Sequence, residues 1–306
     1  CVMIDGCVHQ GCDVLALELF MQMLDEEIEP DNAMYSCLLK ACGLARAIIE
    51  GKLLHNQIVV CGRETNGIIG SALIDMYTKF GSLDDSIKVF GRLQDRDVVC
   101  WNTIIAAHMQ RERFSDALQL FEIMHKEGVK PDRYICSCML KVFANMRNVE
   151  QGKYVHDEII RNRLESDEAL WVSLIDMYAT CGKMQEANHI FHDLKEKNRV
   201  AWGALITGYA LHGDICSAFK YFHEMQEQGV APDETLMLCL LKTCSGSRQV
   251  RHIHRHIMQS KFDSHIDIAN ALVNVYQKAG NLFEAHKVFD GIPNKDVVSW
   301  NTIISG

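Results

Sequence analysis

Three of the chain's four prolines, Pro30, Pro131 and Pro232, stand 101 residues apart, and each is followed by aspartate. The same step links Trp101 to Trp202, Tyr77 to Tyr178, His55 to His156 and Cys138 to Cys239. It shortens to 98 for Trp202 to Trp300, Tyr178 to Tyr276 and His156 to His254, so three residues are missing between Cys239 and His254. A fixed internal period marks a stacked array. It overrides the two globular domains that 306 residues would suggest at about 150 per domain.

Each block divides again, into units 1–31, 32–66, 67–97, 98–132, 133–167, 168–198, 199–233, 234–265 (the shortened one) and 266–296, with a partial unit at 297–306. Each reads as two short helices. In 98–132, Trp101, Ile104, Ile105 and His108 fall on one helical face. Ser115 is placed to cap a second helix carrying Ala117, Phe121 and Met124, which Gly128 ends and Pro131 stops. In 67–97 the corresponding apolar residues are Leu73, Met76 and Tyr77, then Ile87, Phe90 and Leu93 after Gly81-Ser82. Two helices of this size cannot cover their own apolar face, so neighbouring units must stack.

Composition narrows the function classes. Apolar residues at 48% and charged residues at 23% belong to a folded chain, and no apolar run approaches the roughly 18 residues of a membrane span. A net charge of −9 predicts no bulk attraction to a polyanion, so nucleic-acid binding would rest on local groups. Thirteen cysteines, an odd count, fit a reducing compartment. No Cys-x-x-Cys occurs, and Cys37, Cys138 and Cys239 are one repeat position seen three times, which reads as core packing rather than zinc binding. His156-x-Glu158 matches half of a cytidine deaminase site, but its histidine recurs at His55 and His254 and the paired cysteines are missing. No metal, cofactor or small-molecule substrate is expected, and no targeting segment is read within these 306 residues. Trp101, Trp202 and Trp300 read as core residues rather than base-stacking platforms.

The wording of the units is more specific than their period. Asp97-Val-Val-Cys-Trp-Asn-Thr-Ile-Ile105, Asp296-Val-Val-Ser-Trp-Asn-Thr-Ile-Ile304, Ala72-Leu-Ile-Asp-Met-Tyr77 and Glu127-Gly-Val-Lys-Pro-Asp132 resemble pentatricopeptide repeats. The 35/35/31 alternation resembles the P, L and S units of the PLS subclass of plant organellar RNA-processing factors. The resemblance implies an all-α, right-handed solenoid of stacked helix-turn-helix repeats, acting in a mitochondrion or chloroplast. It implies binding of single-stranded RNA, about one base per unit, with editing-complex proteins in trans as further partners. The expected role is that of a specificity factor in C-to-U editing, the catalysis lying outside this chain. The alternatives are an RNA stability or splicing factor, and a tetratricopeptide-like protein scaffold.

In such a family the fifth and last residues of a unit read the base. The resemblance therefore assigns Asn102 with Asp132 and Asn270 with Asp296 to uracil, and Ser71 with Asp97 to guanine. Ser36 with Asn66 is adenine-like, and Ser137 with Asp167 is guanine-like. Cys1 with Asp31, Val172 with Asn198, and Gly203 with Asp233 lack an ordinary fifth-position reader, and Leu238 with His265 matches no pair. The implied target is 5′-N-A-G-U-G-N-N-N-U-3′. The second residue normally wedges a base, which suits Val99, Val200, Ile68 and Tyr134 but not Asp267. A lysine in thirteenth place approaches phosphate, and only Lys79 and Lys278 stand there. The purified chain is expected to deaminate no cytidine and to release no zinc; stoichiometric zinc would overturn this reading of the cysteines.

Overall fold

The computed structural model describes residues 19–20, 22–23, 30–164, 166–244, 246–259 and 265–305. Nearly all of the first unit, including Cys1, lies outside them. Among the described residues there are seventeen helices and no strand. The chain divides into two compact units, Cys1–Val142 and Phe143–Gly306.

In the first compact unit the helices are α1 (Asn32–Ala45), α2 (Ile48–Val60), α3 (Gly67–Phe80), α4 (Leu83–Arg92), α5 (Val98–Gln110), α6 (Phe114–Lys126) and α7 (Arg133–Asn145), the division falling inside α7. Each first helix packs on its own second helix, α1 on α2, α3 on α4 and α5 on α6. First helices also pack on first helices, α1 on α3 and α3 on α5. The second compact unit continues with α8 (Val149–Arg161), α9 (Glu168–Thr180), α10 (Met184–Asp193), α11 (Arg199–Leu211) and α12 (Ile215–Glu227). It ends with α13 (Glu234–Thr243), α14 (Ser247–Gln259), α15 (Ile266–Lys278), α16 (Leu282–Asp290) and α17 (Val297–Ser305). There α9, α11, α13, α15 and α17 form the corresponding row of first helices. Every described first helix begins on the first residue of one of the sequence-defined units.

The core is built from repeated words. Trp101, Ile104, Ile105 and His108 are all buried on α5, as are Ala117, Phe121 and Met124 on α6. Trp101 meets the ring of Phe90 edge-on with centroids 4.8 Å apart, and Trp202 meets Phe191 in the same way at 4.6 Å. Each tryptophan is thus a plug between a second helix and the first helix that follows it, worth about 3–5 kcal/mol against truncation to alanine. Trp300 packs on Phe289 at 5.0 Å but is 53% exposed, a departure from the core expectation. Gly128 follows α6 with φ +75°, the left-handed conformation that lets the chain turn toward Pro131.

Three expectations need correction. Ser115 does not cap α6: the cap position is Arg113, which makes no side-chain cap bond and pairs with Asp116 at 2.7 Å instead. Ile87 faces outward on α4, because Ser86, Val89 and Phe90 take the inner face. Cys37, Cys138 and Cys239 are half-buried rather than in the core. They lie on helix flanks, where Cys239 meets Thr207 of the preceding first helix and burial raises its thiol pKa. The three-residue deletion is also located: α13 stops at Thr243 after 10 residues, whereas α11 and α15 run for 13.

The histidines of the period have a structural reason. His55 Nδ1 lies 2.7 Å from the Tyr77 hydroxyl, His156 Nδ1 3.1 Å from that of Tyr178, and His254 Nδ1 2.8 Å from that of Tyr276. Each bond ties the second helix of one unit to the first helix of the next. Burial lowers the pKa of all three histidines from 6.5 and raises those of the tyrosines, to about 12 for Tyr178 and Tyr276. Both partners are therefore neutral, and each bond joins an uncharged ring to an uncharged hydroxyl. A histidine whose folded-state pKa is depressed stabilises the fold above its unfolded value, and that contribution is lost as the pH falls below it. Thermal unfolding followed by circular dichroism should therefore shift downward between about pH 7 and about pH 5, and less so in His156→Gln than in the unsubstituted chain.

Candidate nucleic-acid interface

The residue that closes each unit is also the one that starts the next first helix. Asp31 accepts a hydrogen bond from the Met34 amide at 2.7 Å, Asp97 from Cys100 at 2.9 Å, and Asp132 from Tyr134 and Ile135 at 3.0 and 3.1 Å. Asn66 accepts from Ile68 and Ile69, Asp167 from Ala169, and Asn198 from Ala201. Asp233 accepts from Leu236, and Asp296 from Ser299. All are N-caps, which satisfy amides that the helix leaves open and contribute about 0.5–2 kcal/mol each. His265 is the exception. It makes no cap bond, and its ring pairs with Glu234 at 3.1 Å.

Capping uses one carboxylate oxygen, and the other is available to the fifth residue. Asp132 caps α7 through Oδ1, while its Oδ2 accepts from Asn102 Nδ2 at 2.7 Å. This contact fixes the Asn102 carboxamide with its nitrogen turned toward the acid, because only the nitrogen can donate to a carboxylate. Asn102 Oδ1 is left buried and without a hydrogen-bond partner. Asn270 repeats the arrangement: its Oδ1 is likewise buried and unsatisfied. Its hydrogen bond to Asp296 joins those from the Ser299 amide and hydroxyl, the amide's being the largest, in holding that carboxyl below its usual pKa. A carboxamide offers two N–H donors and an acceptor; the aspartate takes one N–H, which leaves the oxygen and the second N–H.

The residues expected to read guanine and adenine converge differently. Ser36, Ile68, Ser71, Asp97 and Val99 line one groove of about 390 Å³ across α1, α3 and α5, together with Lys40 and Asp75. Ser71 donates to the Ile68 carbonyl at 3.0 Å, so its hydroxyl is turned along its own helix rather than toward Asp97. Ser137 is half-buried on α7, and Asp167 caps α9. Four of the second residues present apolar surface to solvent: Ile68, Val99, Tyr134 and Val200 are between 51% and 64% exposed. One such residue would mean nothing, but the same position on successive helices is a pattern.

Lys79 is paired with Asp75 at 2.8 Å, both about a third exposed, an arrangement worth little in water and readily exchanged for phosphate. Lys278 is exposed and lines a second groove, of about 600 Å³, with Val298 and Asn301. Val298 and Asn301 stand second and fifth in the partial unit and were legible from the same words as Val99 and Asn102. Among units without an ordinary reader, Val172 is half-buried, whereas a side chain added at Gly203 would meet open space.

The comparisons agree with this architecture. Models described as PPR repeat match residues 71–98, 169–199, 200–230 and 268–297, the PPR repeat family model matches 96–145, and the pentatricopeptide repeat domain model matches 2–44. A chloroplastic pentatricopeptide repeat-containing protein of Arabidopsis thaliana is 30% identical over 99% of this chain and 50% of its own length. A second chloroplastic one is 33% identical over 92% of this chain and 34% of its own, and a mitochondrial one is 28% identical over 100% and 30%. The chain therefore spans half or less of these relatives. The crystal structure of maize pentatricopeptide repeat protein PPR10 matches with a TM-score of 0.53 at 19% identity, over 98% of this chain and 45% of that one, a likeness of fold.

The two jobs of Asp132 can be separated. Asp132→Asn keeps a capping oxygen and should change stability by only a few tenths of a kcal/mol, whereas Asp132→Ala should cost about 0.5–2 kcal/mol, both read from urea unfolding. Equal losses in the two variants would mean that the cap is not the source of the stability.

Proposed function

The chain belongs to the pentatricopeptide repeat family, and from that premise we propose that it binds single-stranded RNA along its first helices, one base per unit. The observation that carries this reading is the Asn102–Asp132 pair, in which a capping aspartate fixes a carboxamide whose oxygen has no partner within the protein. A buried acceptor without a donor costs about 1–3 kcal/mol, which a ligand N–H at that point would recover. The N3–H of uracil is such a donor, whereas N3 of cytosine is an acceptor and would set a nitrogen lone pair against the Asn102 oxygen. Asn270 and Asp296 repeat the chemistry for a second uracil.

The groove shared by Ser36, Ser71, Ile68, Asp97 and Val99 suits purines, since short hydroxyls leave space and the two apolar side chains can pack on base faces. Asn66, Ser137 and Asp167 complete the remaining pairs of the proposed motif 5′-N-A-G-U-G-N-N-N-U-3′. The wedge residues Val99, Val200 and Ile68, and Lys79 and Lys278 as phosphate contacts, complete the interface. The setting is an organelle, in keeping with relatives named chloroplastic and mitochondrial. The role is that of a PLS-type specificity factor for C-to-U editing, with the deaminase and other editing proteins supplied outside this chain.

Gel shifts at stated salt should favour the gapped motif over a scrambled strand; equal affinity would defeat the base assignments. Asn102→Ser should move preference at its base from U toward G, and an unchanged profile would remove Asn102 from the readers. With phosphate contacts from Lys79 and Lys278 alone, log K should fall with log salt at a slope of about −1.4. A slope several times steeper would mean that charge, not base contact, dominates.

A further inference from the structure

We propose that His223, His252 and His256 form a binding site for a divalent transition-metal ion of the Zn²⁺ class, linking the second helices of units 199–233 and 234–265. His252 and His256 are four residues apart on α14, so their rings project from one helical face. Their Nε2 atoms lie 3.3 Å apart. Two nitrogens bound at about 2.0–2.1 Å to a tetrahedral ion are separated by about 3.3–3.4 Å, so this edge of the coordination figure is already set.

The third ligand comes from the neighbouring unit. His223 on α12 brings its ring to centroids 4.6 Å from His252 and 6.1 Å from His256, and one nitrogen of each of the three histidines lies within 4.8 Å of the others. His223 is exposed, so a turn of its side chain closes the remaining distance. The rings are otherwise held in place, His252 by Phe219 and His256 by Phe222.

Gln226 supplies the outer contact such a site requires. Its amide lies 3.0 Å from His256 Nδ1. Turned so that Oε1 accepts Nδ1–H, it leaves the Nε2 lone pair for the metal and fixes the tautomer. The site opens into a pocket of about 540 Å³ that Arg251 and Arg255 also line. The three imidazoles bring no negative charge, so these guanidinium groups weaken a bare cation. They favour water or an anion in the open fourth position. Divalent-ion affinity for nitrogen ligands rises toward Cu²⁺ and Zn²⁺, which sets the ion class.

The location gives the ion a structural use. The shortened first helix α13 belongs to unit 234–265, whose closing residue His265 makes no cap bond. A metal shared between α12 and α14 would restrain the unit whose other contacts are reduced.

The test is calorimetric titration of the chelator-treated full chain with Zn²⁺ under reducing conditions, repeated with Co²⁺ and followed by absorption. The unsubstituted chain should take up one equivalent, and Co²⁺ should give ligand-field bands that do not depend on thiolate charge transfer. His223→Ala, at an exposed position that leaves the fold intact by circular dichroism, should bind at least tenfold more weakly. Gln226→Leu should weaken binding by about 10–100-fold. No uptake by the unsubstituted chain, undiminished affinity in His223→Ala, or a spectrum dominated by thiolate charge transfer would each overturn the proposal.

Discussion

A capping aspartate with two oxygens is the contact on which the rest depends. One oxygen of Asp132 closes the open amides of Tyr134 and Ile135, and the other holds Asn102 by its amide nitrogen. The helix start and the orientation of the Asn102 carboxamide are therefore not independent features. Where Asp132 begins a first helix, it also fixes which atom of Asn102 is left without a partner. Serine at the fifth position breaks that link, since the Ser71 hydroxyl satisfies itself on the Ile68 carbonyl. Asn102 thus keeps a fixed acceptor, whereas the Ser71 hydroxyl is turned to its own helix.

Such a fixed acceptor needs a rigid platform beneath it. The buried face of α5 is continuous from Cys100 through His108, and Trp101 locks that face onto Phe90. The His–Tyr bonds add a polar tie at matching places, 101 and 98 residues apart in sequence. These contacts give a reason for the strict recurrence of tryptophan, tyrosine and histidine. A packed ring or a buried hydrogen bond tolerates no one-residue slip, whereas an exposed second-helix surface does.

Much of this was legible in the sequence because stacked units repeat their constraints. The helix starts at Val98, Arg133 and Glu234 follow from Pro-Asp and Asp-Val words, which carry their own capping chemistry. The second helices were read less well. Ser115 looked like a cap and Ile87 like a core residue, yet Arg113 occupies the cap position and Val89 takes the inner face. Short amphipathic helices allow neighbouring registers, and only packing selects one. The exposed second residues followed from position alone, but the division of labour within Asp132 did not, since a string of letters does not say which oxygen bonds which partner. The histidine cluster was missed for a related reason: His223 and His252 lie on different units and are brought together only by stacking.

Selection of bound strands from a fully randomised RNA pool, followed by sequencing, tests the central claim most directly. Asn102 and Asn270 belong to the fourth and ninth units, so the account predicts two enriched uridines with four nucleotides between them at one base per unit. Enrichment that lacks paired uridines, or that places them at any other separation, would contradict it.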